Sequence, residues 1–315
     1  MIRRIYQRTT LLKLVPCQDY AESPVIYTLT DKNLSGSSAI LRAKGADANS
    51  YLQGQFTQDV LAAPGGRSYG LWLDQKGRVQ ADGHVLKQGE DEFLVVCFSA
   101  TAAQLLARLE TYLVADEVEL RDETEAWAGI LLWGDDAVWQ QPPPGVLALP
   151  SRRAGTDSFQ WLVPAGRLEE VSAELKKLSA VERDQRAAEL ERLRQGVPAV
   201  PVDIGVRDLP NEGGLDEIAI SYTKGCYLGQ EVMARLKNLG QVRRRLHLVR
   251  GIGAPPPPAT ALCQGERKAG EVRSGVADGD GFLAMAMLSL VNLDGDAPLR
   301  LESGAGAPIR ILRRV

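Results

Sequence analysis

The sequence has 315 residues, which is long for one compact domain and predicts two or three structural units. Its formal net charge of -3 is close to neutral, so composition gives no sign of a protein that binds nucleic acid or an anionic membrane. The four cysteines are widely spaced and only two histidines occur, which excludes a CxxC element and a histidine-rich metal site. No apolar run approaches the roughly 20 residues that span a membrane, so a cytoplasmic protein is expected. A transit peptide is the alternative for the basic start, residues 1–13, but Asp19 and Glu22 follow soon and disfavour it.

The first half of the chain predicts an antiparallel sheet with helices on one face. Residues 38–61 are typical of a strand followed by a helix, with Asp47 as the N-cap. Further strands are predicted at 69–73, 78–86 and 92–98, with a hairpin turn at 74–77 and an amphipathic helix at 101–113. This order of elements indicates an α+β layer.

A similar unit is predicted next, and the tail then changes character. Strands are predicted at 129–133 and 160–163, and helices at 167–178 and 187–195. After Gly240, short alternating stretches bounded by Gly and Pro are typical of a small all-β domain. We place the boundary near residue 244, which gives an α+β region of two subdomains over 1–244 and a β domain over 245–315.

The strongest local feature is the segment 218–240. Residues 218–222 predict a strand, 224–226 a turn, and 229–237 a helix that Gly240 ends. Cys226 would then precede a helix N-terminus and lie between Lys224 and Arg235, and both effects favour a reactive thiolate. The alternative is that Cys226 is a small buried hydrophobic residue.

Two further polar features have a functional and a plain interpretation. Asp82, on the return strand of the hairpin, has a carboxylate that suits ligand binding or proton transfer, although a solvent-facing strand residue is the simpler interpretation. The run 243–245 consists of three arginines, which suit an anionic ligand. Alternation along a strand favours a solvated face for Arg243 and Arg245 instead.

Several stretches of the sequence resemble a known protein family. The signature of the YgfZ-type folate-binding proteins is similar to Lys224-Gly225-Cys226-Tyr227-Leu228-Gly229-Gln230-Glu231-Val232-Met233-Ala234-Arg235. Residues 51–60 resemble the family's early helix, 73–82 its hairpin, and 209–215 the segment before the signature. The resemblance spans roughly residues 38–315.

The resemblance implies a fold shared with the T-protein of the glycine cleavage system, in which three subdomains surround a central tetrahydrofolate-binding cavity and the last is a β-barrel. It implies a role in supporting iron–sulfur enzymes, including tRNA-modifying ones, with Cys226 as the catalytic residue. The Cys226 thiol is then expected to be at least partly accessible from that cavity. Asp82, Lys224 and Arg235 are the expected residues for binding tetrahydrofolate or a one-carbon derivative, and no metal site is expected. One departure is Arg194, which stands where many relatives have a glutamate that binds the pterin ring.

Three functions therefore stay open at the level of sequence. The first is a tetrahydrofolate-binding accessory protein for iron–sulfur enzymes, with folate and iron–sulfur client proteins as partners and no contact with nucleic acid or membrane. The second is a tetrahydrofolate-dependent aminomethyltransferase or demethylase, and the lack of a cysteine at the position of Cys226 in true aminomethyltransferases disfavours it. The third is a scaffold that has lost folate, which Arg194 favours because an arginine offers no acceptor to the pterin ring.

Overall fold

A computed structural model describes residues 26–31, 38–62, 64–134, 141–240, 242–291, 293–294, 297–301 and 307–315, and the basic start at 1–13 lies outside these ranges. The strands are β1 (Ile26–Asp31), β2 (Ala39–Lys44), β3 (Arg67–Leu73), β4 (Val79–Lys87), β5 (Glu92–Cys97), β6 (Glu119–Asp122), β7 (Trp127–Trp133), β8 (Leu147–Ser151), β9 (Ser158–Pro164), β10 (Val181–Glu182), β11 (Arg244–Ile252), β12 (Ala261–Gln264), β13 (Arg267–Asp278), β14 (Gly281–Ser289), β15 (Arg300–Leu301) and β16 (Arg310–Arg314). The helices are α1 (Ala48–Gln55), α2 (Ala102–Glu110), α3 (Leu168–Lys177), α4 (Gln185–Arg194), α5 (Asp216–Ala219) and α6 (Gln230–Leu239).

The first sheet has the strand order β3-β4-β5-β2-β6 and carries α1 and α2 on one face. Side chains alternate between the two faces of a strand, so Leu41 and Ala43 pack toward the helices whereas Ile40 points the other way. Thr101 caps α2 through a reciprocal capping box with Gln104, which fixes where that helix begins.

The second sheet has the order β10-β1-β7-β9-β8 and packs face to face on the first. Ile40 and Val96 of the first sheet lie in one buried cluster with Leu149 and Leu162 of the second. Helix α3 covers the opposite face of the second sheet. The result is a layered α+β body, as the sequence predicts.

The remaining strands form a six-stranded sheet in the order β15-β12-β13-β14-β11-β16, which encloses its own apolar cluster around Phe282. A second apolar cluster joins this β unit to the body, and in it Leu73 and Met233 pack with Met285. A buried ion-pair network reinforces the same contact, because Arg273 of β13 lies 3.0 Å from the Asp208 carboxylate. The α+β fold class with a terminal β unit is confirmed.

Two local predictions differ from the structure. Residues 218–222 were expected to form a strand, but Asp216–Ala219 forms the short helix α5. The apolar run at 218–220 is too short for periodicity to separate a buried strand from a buried helix. The helix expected within residues 38–61 is also shorter than predicted. In the structure α1 stops at Gln55, and Phe56 adopts an extended backbone.

The arginine run at 243–245 is not simply solvated. The Arg244 guanidinium lies 2.7 Å from the Glu212 carboxylate and 2.8 Å from that of Asp208. Arg245 donates from Nε to the carbonyl oxygen of Val315 at 2.9 Å. Strand alternation correctly places Arg244 and Arg245 on opposite faces of the strand. The segment at 205–215 packs against Arg244 and Val315 packs against Arg245, and sequence alone does not reveal these contacts.

Candidate functional site

A cavity of about 1010 Å³ lies where the three sheets approach one another. The first sheet contributes Asp82 and His84, the second contributes Gln160, and the β unit contributes Val276. Helix α4 and the proline-containing segment at 198–202 complete the wall. Small-molecule sites generally measure about 300–1,000 Å³, so this cavity has room for a ligand the size of a folate.

Asp82 lies in the wall of this cavity on strand β4. The hydroxyl of Tyr69 donates to Oδ2 of Asp82 at 2.8 Å, and the Asp82 backbone N–H donates to Oγ of Ser99 at 2.9 Å. Burial raises the pKa of the Asp82 carboxyl, while the hydrogen bonds from Ser99 and Tyr69 and the charge of Arg153 oppose that rise. Asp82 is therefore a half-buried carboxylate held in one orientation beside open space, and its contact with a folate stays a prediction.

His84 is a second polar group of the same wall, and the sequence analysis did not single it out. It is buried, lies directly opposite Tyr69 in the β3–β4 ladder, and its ring centroid is 5.2 Å from that of Tyr69. Burial lowers the pKa of His84 to about 4, against the effect of a hydrogen bond with the Pro150 backbone. The imidazole is consequently neutral at physiological pH. Strand alternation from Asp82 would have placed His84 on the cavity face.

Four arginines line the cavity, and two of them are tightly partnered. The buried Arg192 pairs with Glu189 and lies 2.7 Å from Asp203, which accepts a further hydrogen bond from Ser274. Arg153 stacks on the ring of Phe98 at 5.0 Å. The other two are Arg152 and Arg186. None of these four arginines belongs to a recognisable sequence motif, so the sequence analysis did not single them out.

Arg194 points away from the cavity. Its guanidinium lies 2.7 Å from the carboxylate of Asp278 on the β unit, and Arg194 does not line the cavity. The carboxylate that α4 does present to the cavity is Glu189, five residues earlier in the same helix. The cavity wall therefore still has a carboxylate on α4, Glu189, although position 194 is an arginine.

The signature residues lie elsewhere, around the start of α6. Cys226 is exposed, precedes the helix, and is not among the residues of the cavity wall. Lys224 is buried, and its Nζ donates to the backbone carbonyls of Gln53 and Phe56 at 2.6 Å and of Gln58 at 3.1 Å. Burial lowers the pKa of Lys224 to about 8, which still leaves the amine protonated at neutral pH.

The structure thus brings one of the four predicted site residues, Asp82, to the cavity. The Lys224 ammonium is committed to holding the end of α1, and Arg235 is exposed on α6 outside the cavity wall. Roles for Cys226, Lys224 and Arg235 toward a cofactor remain predictions, and the expected access to Cys226 from the cavity is not seen in the wall residues.

Three stretches that carry the family resemblance meet at the loop before α6. Lys224 binds the end of α1, and the backbone N–H of Leu228 donates to the carbonyl of Gly54 at 3.0 Å. Gly229 has φ 86°, and a Cβ there would lie 2.7 Å from the carbonyl oxygen of Asp74 in the β3–β4 hairpin. Glycine is required at 229 by both the backbone angle and this close approach. The stretches at 51–60, 73–82 and 224–235 therefore build one local structure that presents Cys226.

In the part of the chain that the structure describes, no group of three or more His, Cys, Asp or Glu side chains could hold a metal ion. Cys97 is buried and Cys263 is half-buried, while Cys17 lies outside the described ranges. None of the described helices is long and apolar enough to cross a membrane.

Comparison with known proteins identifies two domain types in the chain. Residues 37–138 match the GCVT N-terminal domain, and residues 243–313 match the CAF17 C-terminal β-barrel domain. The human mitochondrial iron–sulfur cluster assembly factor IBA57 is 29% identical over 318 residues, which cover 88% of this chain and 82% of the human protein. The tRNA-modifying protein YgfZ of Serratia proteamaculans is 26% identical over 294 residues, covering 87% of this chain and 88% of that protein.

Among solved structures, glycine cleavage system aminomethyltransferase T from Bartonella henselae superimposes with a TM-score of 0.76 and 17% identity, covering 91% of this chain and 85% of that chain. A likeness at this level of identity shows the fold. The expected aminomethyltransferase-like fold with a C-terminal β-barrel is confirmed.

Proposed function

We propose that this chain, a homologue of the YgfZ and IBA57 proteins with a GCVT N-terminal domain and a CAF17 C-terminal β-barrel, is a tetrahydrofolate-binding accessory protein that supports iron–sulfur enzymes. One relative is named for iron–sulfur cluster assembly and another for tRNA modification. Iron–sulfur client proteins, including tRNA-modifying ones, are accordingly its proposed partners. A cytoplasmic location stays a prediction, since relatives named mitochondrial also occur.

The observation that carries the folate part of this proposal is the cavity with Asp82 in its wall. A folate would bring ring N–H groups that need acceptors, and the cavity offers the carboxylates of Asp82 and Glu189. Phe98, Pro201 and Val276 give the same cavity an apolar surface suited to the flat rings. Tetrahydrofolate supplies one-carbon units when it is bound, and the residues present here would bind and orient it.

The accessory part of the proposal is supported by the separation of Cys226 from the cavity. An exposed thiol on a fixed loop is accessible to a partner protein, and a thiolate is a good ligand for soft metals. A single cysteine cannot hold a cluster by itself. Transient coordination of the Cys226 thiolate to the iron of a cluster on the client protein is therefore the proposed use of Cys226.

The alternative of a tetrahydrofolate-dependent aminomethyl transfer or demethylation is favoured by one specific observation. Asp82 combines a raised pKa with a position beside the cavity, which suits a group that exchanges a proton with a ligand. This alternative requires Asp82 for function and leaves Cys226 without a role, so variants of the two residues separate the hypotheses.

Folate binding is tested by calorimetric titration of the purified protein with tetrahydrofolate. Asp82→Asn should weaken binding by roughly tenfold to a hundredfold, because it removes a charged hydrogen-bond acceptor from a buried site. The matched control is Asp91→Asn, since Asp91 is exposed on the β4–β5 hairpin and does not line the cavity. Equal affinity for wild type and Asp82→Asn would remove Asp82 from the site, and no binding by wild type would favour the scaffold without folate.

The accessory role is tested by rescue of a bacterial strain that lacks its YgfZ protein, with the activity of an iron–sulfur tRNA-modifying enzyme as the readout. Cys226→Ala should abolish rescue while the protein stays folded, and Cys263→Ala should rescue fully. Full rescue by Cys226→Ala together with loss of rescue by Asp82→Asn would favour the one-carbon transferase instead.

A further inference from the structure

Two of the four arginines in the cavity wall lack a counter-ion. Neither Arg152 nor Arg186 forms an ion pair or a side-chain hydrogen bond with any residue in the ranges that the structure describes. The neighbouring Arg153 and Arg192 are occupied by partners of their own. The wall therefore carries two uncompensated positive charges.

Arg152 shows the clearest deficit. It follows strand β8, it is half-buried, and its Nε atom is fully buried without a hydrogen-bond partner among the described residues. A buried donor without an acceptor is destabilising, because it has given up water and gained nothing in return. The positive charge of Arg152 also opposes the burial that raises the pKa of the Tyr69 hydroxyl.

The acidic groups of the wall do not compensate these arginines. Glu189 is engaged by the Arg192 guanidinium through both of its carboxylate oxygens, and Asp82 accepts from Tyr69. Arg186 is exposed at the second position of α4, where the helix N-terminus adds a further positive potential. An anionic ligand group within hydrogen-bond reach of the two guanidinium groups would neutralise both charges.

The chemistry that fits is a carboxylate or a phosphate, since a guanidinium binds either through two parallel hydrogen bonds. Resting on the proposed function, we infer that Arg152 and Arg186 bind the glutamyl carboxylates at the tail of a folate, and that the cavity distinguishes tetrahydrofolate from a tetrahydropterin without a tail. Each oxygen of a carboxylate can accept more than one hydrogen bond, so Asp82 and Glu189 can keep their present partners and still accept from the ring end of the same ligand.

The test is calorimetric titration of the full-length protein with three ligands: tetrahydrofolate, its triglutamate form, and tetrahydrobiopterin, which has no benzoylglutamate tail. Arg152→Gln should weaken tetrahydrofolate binding by roughly tenfold to a hundredfold, and Arg186→Gln by about threefold, because Arg186 is more exposed to water. Both variants should leave tetrahydrobiopterin binding unchanged. The matched control is Arg183→Gln, since Arg183 is exposed near the start of α4 and lies outside the cavity wall.

Salt gives a second readout, because screening weakens contacts between exposed charges. Raising the potassium chloride concentration should weaken tetrahydrofolate binding to wild type more than to the Arg152→Gln, Arg186→Gln double variant.

The outcomes separate this inference from the proposed function. If wild type and Arg152→Gln bind tetrahydrofolate equally, the tail assignment is overturned while folate binding stands. If Arg152→Gln weakens tetrahydrofolate and tetrahydrobiopterin alike, the arginine contacts the ring and the tail assignment again fails. If wild type binds neither ligand, both the proposed folate binding and this inference are overturned. Thermal unfolding of each variant shows whether a loss of binding reflects a loss of fold.

Discussion

The hydroxyl of Tyr69 on β3 donates a hydrogen bond of 2.8 Å to Oδ2 of Asp82 on the neighbouring strand β4. The two residues are diagonal neighbours in the ladder, since Leu71 lies opposite Asp82 and Tyr69 lies opposite His84. The bond stabilises the charged form of a carboxylate whose pKa burial raises. Tyr69 therefore orients the acidic group in the cavity and favours its charged form.

Tyr69→Phe should raise the pKa of Asp82 further, because the variant loses a donor to the carboxylate while burial is unchanged. The measurement is the ¹³C chemical shift of the aspartate carboxyl groups as a function of pH, with Asp82→Asn used to assign the signal. Tyr112→Phe is the control, because Tyr112 contacts Arg108 and does not line the cavity. An unchanged Asp82 titration in Tyr69→Phe would show that the bond does not set the charge.

His84 should make the fold sensitive to mild acid. Burial lowers its pKa from the ordinary value of 6.5 to about 4, so between these values the unfolded chain binds a proton that the folded protein does not. The free energy of unfolding should therefore fall as the pH drops from 6.5 to 4, by up to about 3 kcal/mol from this group. His84→Gln keeps a donor for the Pro150 backbone and removes the titration. Urea denaturation at several pH values measures the difference, and parallel curves for the two proteins would contradict the prediction.

Cys226 and Cys97 should differ sharply in reactivity. Cys226 is exposed, whereas Cys97 is buried and burial raises its pKa to about 11. Iodoacetamide added to the native protein should label Cys226 within minutes and leave Cys97 unlabelled until the protein is denatured. Peptide mass spectrometry identifies the labelled sites. Protection of Cys226 in the native protein would mean that its loop is covered in solution.

Lys224 should contribute substantially to stability through its three carbonyl acceptors. Lys224→Met leaves the carbonyls of Gln53, Phe56 and Gln58 without their donor, and we expect a loss of about 3 kcal/mol in the free energy of unfolding. Lys237→Met is the matched control on α6, because Lys237 lies at the surface over the Tyr222 ring at 4.0 Å. That control should change stability by no more than about 0.5 kcal/mol. Urea denaturation measures both, and equal effects would refute a special role for Lys224.

The sequence predicts the elements of this fold well where periodicity is strong and contacts are local. The hairpin at 74–77 and helix α2 follow from turn residues and apolar spacing, and the structure has both. The segment at 218–222 fails because its apolar run fits a buried strand and a buried helix equally well. The expected solvation of Arg245 is wrong for another reason, since its hydrogen-bond partner Val315 lies 70 residues away in the sequence.

The candidate site was predictable only in part. Asp82 follows from its place in a stretch that resembles a family, but Arg152 and Arg186 belong to no motif and meet at the cavity through tertiary packing. Lys224 was expected to favour the Cys226 thiolate because the two residues are close in sequence. In the structure its ammonium instead donates to the backbone at the end of α1. Spacing along a chain does not reveal which way a long side chain turns.

The cavity has walls from three separate sheets, and each sheet has an apolar cluster of its own. Separation of the three sheets would therefore abolish the cavity even if each sheet kept its own core. Ligand binding then requires that all three sheets are correctly assembled. By mass action, the bound ligand in turn stabilises the assembled state. An incompletely assembled chain would not bind the ligand. A partner protein that requires the ligand-bound form would then bind only correctly assembled chains.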